Sequence, residues 1–292
     1  MSFASDVKNE ICKTDITEVC CARAELAGIV CFGASVKGDE IRIRTECEDV
    51  ANRFCSLVKF LYNLKAEVSV TDSGTFMAVL SGVEVIKVLR DTKLAGVPTH
   101  IDREIVRNEC CKASMLRGIF LGGGSMTDPE KSYHAELVSN HYAIEKDLRP
   151  VFEHFELYPK MINRNGNFVF YIKEGQQIEN LLAAIGAHSK MMEFVNVVIE
   201  REIKNTTNRR VNFEVANYLK THDAALKQQM AIEKIVLEHG WQSMSPELVA
   251  VAKIRLEDTD ISLADIAKKL NISKSGVNHR MRKILSLAEM DK

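Results

Sequence analysis

Two stretches of this chain are versions of one segment. Residues 20–35 read CCARAELAGIVCFGAS and residues 110–125 read CCKASMLRGIFLGGGS, an offset of 90 positions. Seven positions are identical: Cys20/Cys110, Cys21/Cys111, Leu26/Leu116, Gly28/Gly118, Ile29/Ile119, Gly33/Gly123 and Ser35/Ser125. A repeat this long points to two related subdomains rather than to a solenoid. The patterns downstream of the two copies also agree. After the first come a turn at Lys37-Gly38-Asp39, an alternating strand over 40–45, a helical pattern over about 48–64, strands near 67–70 and 76–80, and a helix near 83–89. After the second come a strand near 133–138, a helix near 142–155, strands near 158–162 and 168–172, and a helix near 176–185. Asn165-Gly166 between the last two strands is a strong hairpin signal. The spacing predicts an α+β unit used twice.

The head helix of each unit carries a glycine, Gly28 or Gly118, inside an apolar run. Glycine there costs a helix about 1 kcal/mol relative to alanine, so it needs a reason. Close backbone approach supplies one, which predicts that the two glycine-bearing helices face each other. Leu26-Ala27-Gly28-Ile29-Val30 resembles the opening of the LAGLIDADG motif of homing endonucleases, and Leu116-Arg117-Gly118-Ile119-Phe120 resembles a weaker second copy. The resemblance implies a pseudo-symmetric, duplicated αββαββα fold with paired central helices. It also implies an acidic residue from each copy holding divalent metal. The matching positions here are Gly33 and Gly123. A metal that activates water for phosphodiester cleavage needs hard oxygen ligands, and glycine has no side chain to offer. The expectation is a catalytically dead domain with no catalytic residues, not an enzyme. Gly122-Gly123-Gly124 has two readings, a tight turn leaving the helix or, less favoured, a phosphate cradle of backbone amides.

All eight cysteines fall in the first 111 residues: Cys12, Cys20, Cys21, Cys31, Cys47, Cys55, Cys110 and Cys111. They form no C-x-x-C pair and no zinc-site spacing, so the expectation is free thiols packed as small hydrophobes, with no metal and no cofactor. The N-terminus has no apolar block and no run approaches the ~20 residues needed to span a bilayer, so no membrane role and a cytoplasmic location are expected. At 46% hydrophobic and 27% charged, the chain has an ordinary globular composition.

From about residue 221 the pattern is helical only. Runs are expected over 221–238, from Ser245-Pro246-Glu247 to 256, over 263–270 with Ser262 as cap, and from Ser273 to about Met290, with a turn at Asn271-Ile272. On the last run Val277, Met281, Ile284, Leu285 and Ala288 form one stripe, while Ser275, Asn278, His279 and Arg282 lie elsewhere. The net charge is −1, yet Lys268, Lys269, Lys274, Arg280, Arg282 and Lys283 lie between Ser262 and Leu285 with Asp265 as the sole acid. Two capped helices, a short turn and a basic second helix resemble a helix-turn-helix. The DNA-binding residues expected are Ser273, Lys274, Ser275, Asn278, His279, Arg280, Arg282 and Lys283.

Three further segments resemble the WhiA family: the start Met1-Ser2-Phe3 with Val7-Lys8 and Glu10, the polar stretch from Asn205 to Asn217, and Ser273-Lys274-Ser275-Gly276-Val277-Asn278-His279-Arg280. The resemblance implies a degenerate LAGLIDADG-like domain over 1–200 (repeats about 1–100 and 101–200), a linker over 201–220 and a helix-turn-helix domain over 221–292. It implies a transcription regulator of sporulation, or of cell division and chromosome segregation. It would be nucleoid-associated, bind double-stranded DNA at promoters, and have RNA polymerase holoenzyme or another regulator as partner. The alternative is a protein-interaction scaffold that docks the transcription machinery, with incidental DNA contact. In the linker, Asn208, Arg209, Arg210 and Asn212 are candidates for DNA contact or for capping flanking helices.

Overall fold

The computed structural model describes residues 2–94, 100–141 and 144–289. By its contacts the chain divides into two units, Met1–Arg201 and Glu202–Lys292. The first opens on helix α1 (Phe3–Cys12), which the sequence pattern did not announce. Ser2 caps it, its hydroxyl accepting from the Ser5 amide at 3.2 Å, and Phe3, Val7 and Ile11 bury one stripe at four-residue spacing.

The two repeats come next, in the same element order. The first is α2 (Val19–Gly33), β1 (Ala34–Lys37), β2 (Glu40–Thr45), α3 (Glu48–Tyr62), β3 (Glu67–Val70), β4 (Phe76–Ser81) and α4 (Val85–Asp91). The second is α5 (Glu109–Gly123), β5 (Gly124–Met126), β6 (Ala135–Ser139), α6 (Ile144–His154), β7 (Lys160–Arg164), β8 (Asn167–Ile172) and α7 (Gly175–Ile185). Each repeat makes one antiparallel four-stranded sheet, ordered β1-β2-β4-β3 and β5-β6-β8-β7. The expected start of α6 at Tyr142 and end of the last helix at Met290 fall outside the described residues.

Local chemistry sets the registers. Lys37 pairs with Glu40 across a two-residue turn in which Gly38 takes φ +59°. Arg164 pairs with Asn167 across Asn165 and Gly166, at φ 54° and 82°, the left-handed pair a tight hairpin requires. In α3, Val50, Ala51, Phe54, Leu57 and Val58 are buried at helical spacing, and Asn63 ends the helix at φ 55°.

The centre of the unit is the pairing of α2 with α5. A Cβ on Gly28 would stand 2.5 Å from the Met115 carbonyl oxygen and 2.7 Å from the Ile119 nitrogen. A Cβ on Gly118 would collide with the Glu25 carbonyl oxygen. The glycines are therefore there for backbone contact, as their place in apolar runs predicts. Just beside them Glu25, 2% exposed, takes a two-pronged ion pair from Arg53 of α3 at 2.7 and 2.9 Å and a third contact from Arg117 of α5 at 3.3 Å. Arg53 also donates to the carbonyls of Cys12 and Thr14, and Arg117 to that of Ile185 at 2.8 Å. One buried carboxylate thus joins the two repeats.

The cysteines divide into two groups. Cys31 and Cys47 are buried and Cys12 and Cys55 half-buried, as packed thiols should be. Cys20, Cys21, Cys110 and Cys111 behave otherwise: the heads of α2 and α5 bring all four sulfurs within 4.8 Å of one another. Linear spacing gave no sign of this, because the two cysteine pairs are 90 residues apart.

The second unit is all helix. α8 (His188–His239) begins in the first unit, where Phe194 is buried, and ends in the second, where Ala225, Ile232 and Ile235 are buried. After a short 3-10 turn (Trp241–Ser243) come α9 (Pro246–Glu257), α10 (Leu263–Lys269) and α11 (Lys274–Glu289). Ile232, Ile235, Leu248, Val251, Ile266, Val277, Met281 and Ile284 make their common core. The stretch 201–220, expected as a linker, lies inside α8. Its amides are engaged along the helix, so the idea that Asn208 and Asn212 cap flanking helices does not hold.

Candidate nucleic-acid interface

α10 and α11 are set by three local devices. The Ser262 hydroxyl accepts from the Asp265 amide at 3.1 Å and opens α10. Asn271 takes φ 51°, and the Ile272 amide donates to the Ala267 carbonyl at 3.0 Å, which closes the turn. The Ser273 hydroxyl then accepts from the Gly276 amide at 3.0 Å and opens α11. A fourth device was not visible in the sequence pattern. Arg255, 2% exposed, lies on the buried face of α9 with Leu248, Val251 and Ala252. It donates to the carbonyls of Thr259 at 2.9 Å and Ile261 at 2.6 Å, so a buried guanidinium holds the loop that enters α10. Burial lowers its pKa from the usual arginine value. The signal that could have found it is its apolar register, four residues after Val251.

The expected residues fall into three groups. Lys274, Ser275, His279, Arg282 and Lys283 are exposed, and Asn278 is half-buried among them. At 100° per residue Ser275, Asn278, His279 and Arg282 share one side of α11, opposite the buried Val277, Met281 and Ile284, with Lys274 and Lys283 on its two flanks. Ser273 is committed to the cap. Arg280 points the other way: its guanidinium meets Glu247 of α9 at 3.1 Å and is only 24% exposed. Expected among the DNA-binding residues, it braces α11 against α9 here.

Asn208, Arg209, Arg210 and Asn212 are all exposed on α8. They do not converge. Asn208 and Asn212 are one turn apart on one side, while Arg209 and Arg210 lie round the helix, Arg210 bonded to Glu214 at 3.0 Å.

Gly33 and Gly123, the positions that the resemblance matches to metal-holding acids, pack against backbone. A Cβ on Gly33 would stand 2.7 Å from the Gly122 Cα, and one on Gly123 would strike the Val138 carbonyl oxygen. The Gly124 amide donates to the Phe120 carbonyl, and none of residues 122–124 has positive φ. Both expectations for this triplet are thus replaced: it is neither a tight turn nor a phosphate cradle but a packing surface. The adjoining cleft, about 310 Å³, is lined by Lys8, Arg44, Ser125 and Glu46, among others. Burial lowers the Lys8 pKa despite the neighbouring Cys47, Cys12 and Glu46. On the second sheet Glu136 is held below the usual carboxylate range, chiefly by its bond from Arg164 at 2.7 Å and further by His134. On the first sheet Arg42 is similarly paired with Glu40 at 2.6 Å.

Known proteins share this arrangement. The WhiA N-terminal LAGLIDADG-like domain matches residues 19–79, the WhiA LAGLIDADG-like domain residues 112–204, and the WhiA C-terminal HTH domain residues 207–288. A probable cell division protein WhiA from Alkaliphilus metalliredigens is 36% identical over 315 residues, covering 100% of this chain and 99% of the relative. One from Clostridium novyi is 36% identical, covering 99% and 98%. The crystal structure of full-length WhiA from Thermatoga maritima superposes with a TM-score of 0.63 at 25% identity, covering 99% of both chains. Among the described residues no helix is long and apolar enough to cross a membrane. With both LAGLIDADG-like repeats and the helix-turn-helix matched along the full length, the chain belongs to the WhiA family.

Proposed function

We propose that this protein is a sequence-specific transcription regulator that binds promoter DNA through α11 and serves cell division and chromosome segregation, or sporulation. The observation that carries this reading is the exposed side of α11, where Ser275, Asn278, His279 and Arg282 stand together behind a capped turn. An α-helix fits the major groove, and asparagine and arginine are the side chains that bond adenine and guanine edges in two places at once. Lys274 and Lys283, on the flanks, are placed for phosphates. Of the four α8 candidates, Asn208 and Asn212, which share one side, are placed for further phosphate contacts, with the helix-turn-helix domain taken from about residue 221 and 201–220 as its helical connection.

The cell-division role is supported by the relatives from Alkaliphilus metalliredigens and Clostridium novyi, each a probable cell division protein. A regulator of this kind works in the cytoplasm on the nucleoid and engages RNA polymerase holoenzyme or another regulator. The LAGLIDADG-like region is not a nuclease in this reading. Gly33 and Gly123 offer no carboxylate, and a side chain at either position would meet backbone.

The test is selection from a random duplex pool by the full-length chain with Mg²⁺ at near-physiological salt, sequencing bound and cut fragments. An enriched motif on intact duplexes is expected. No enrichment would favour a scaffold that docks the transcription machinery, and new strand ends would restore the nuclease.

A further inference from the structure

The regulator reading leaves unused the four cysteines at the heads of α2 and α5. We propose that Cys20, Cys21, Cys110 and Cys111 form a tetrathiolate site for one zinc ion at the seam between the repeats.

The geometry comes first. The sulfurs of Cys20 and Cys21 are 4.0 Å apart, as are those of Cys110 and Cys111, and all four lie within 4.8 Å of one another. A tetrahedral zinc with Zn–S of about 2.3 Å needs sulfur–sulfur edges of about 3.8 Å. Side-chain shifts of an ångström or less close the difference. Four sulfurs this near one another leave room for a single ion. An iron–sulfur cluster, with several irons between its thiolates, would hold them further apart.

The second argument is electrostatic. Both vicinal pairs sit in the first turn of a helix, at its positive end, and the residues before them, Glu18 and Asn108, make no side-chain cap. First-turn amides left without a side-chain partner offset the negative charge that metal-bound sulfurs carry. Two such helix ends converge on one point here. The neighbouring cleft, about 320 Å³, is lined by Cys20 and Cys111 together with Arg23, Lys93 and Arg107 as well as Asp91 and Glu104. Arg23 meets Asp91 at 2.9 Å and Lys93 meets Glu104 at 3.6 Å, so the cleft's excess of one cation offsets part of the negative charge that four thiolates leave on a divalent ion.

The third is topological. Each repeat contributes one pair, so the ion closes a loop of about ninety residues and ties the repeats where they meet. All four ligands come from protein, as in structural rather than catalytic zinc sites, and thiolate softness selects zinc over magnesium or calcium. A disulfide within either pair would have to form between adjacent helical residues.

The experiment is metal analysis of the full-length chain purified under reducing conditions, followed by cobalt substitution. The expected result is about one zinc per chain, released by a mercurial thiol reagent. The cobalt form should show strong visible bands and the thiolate charge-transfer band of a tetrahedral Co–S4 centre. Cys110→Ser, at the exposed position, should weaken metal binding at least tenfold, while Cys55→Ser should bind as the parent does. Absence of both zinc and a cobalt spectrum in the reduced parent chain would overturn the proposal, whatever the variants do. So would unchanged binding in the Cys110→Ser, Cys111→Ser double variant, or a Cys20–Cys111 disulfide in the freshly isolated native chain in place of metal.

Discussion

Arg282 and Asn278 lie one turn apart on the open side of α11, and neither bears on the core that Val277, Met281 and Ile284 make. Arg282→Ala and Asn278→Ala should each weaken binding to the selected motif by about 1–3 kcal/mol and relax preference at one base position. Fluorescence anisotropy against matched and mismatched duplexes would measure this, and unchanged affinity and motif in both variants would remove this face from the interface. Glu25 belongs to the opposite regime. Its removal leaves Arg53, 5% exposed at its side chain, without a counter-charge in the interior. Glu25→Ala should cost about 3–5 kcal/mol of stability, read as a lower urea midpoint for the first unit. A shift below about 1 kcal/mol would mean that Arg53 finds water or another partner.

At the scale of elements, Gly118 is the sharpest point in the fold. Gly118→Ala should destabilise the first unit by about 3 kcal/mol, the upper end of overpacking, because the added carbon meets backbone rather than a side chain that can turn away. Calorimetry with a Gly186→Ala control, where the strain is one of φ (+87°) and the nearest neighbour is a flexible arginine, separates the two causes. The helices and most strands were legible in the sequence because their signals are local: Asn165-Gly166 for a turn, Ser262 and Ser273 for caps, the period of Val50 to Val58 for a buried face. β1 and β5 were hidden. They start directly at the helix ends, at Ala34 and Gly124, with no turn residue between. The first half of α8 was hidden for another reason. Asn205, Thr206, Thr207, Asn208 and Asn212 are weak helix formers, and the composition reads as a connection. Helical phase puts Arg280 on a flank, and its partner Glu247, on another helix, decides the direction it takes. The cysteine cluster could be seen only once the 90-residue repeat was folded on itself.

At the scale of the whole chain, the proposed DNA contact should fall unequally on the two units. Residues 1–200 alone should bind duplex DNA weakly or not at all, with Arg42 and Arg164 already paired to Glu40 and Glu136. The full chain should lose affinity with salt in proportion to the phosphates that its lysines and arginines neutralise. Titrations of both forms across salt would show it, and equal affinity for the isolated first unit would assign the binding to the wrong part of the molecule. The seam of α2 and α5 also carries a hazard of its own. Its glycine-to-backbone contacts and its Glu25–Arg117 pair are the same in every copy, so nothing in it tells a repeat's own partner from the same repeat in another molecule. Covalent linkage is what settles the choice. The chain between α4 and α5 keeps the right partner at a high local concentration, which a dilute neighbour cannot match. Crowded refolding should therefore yield exchanged pairs, in which α2 of one molecule docks on α5 of the next.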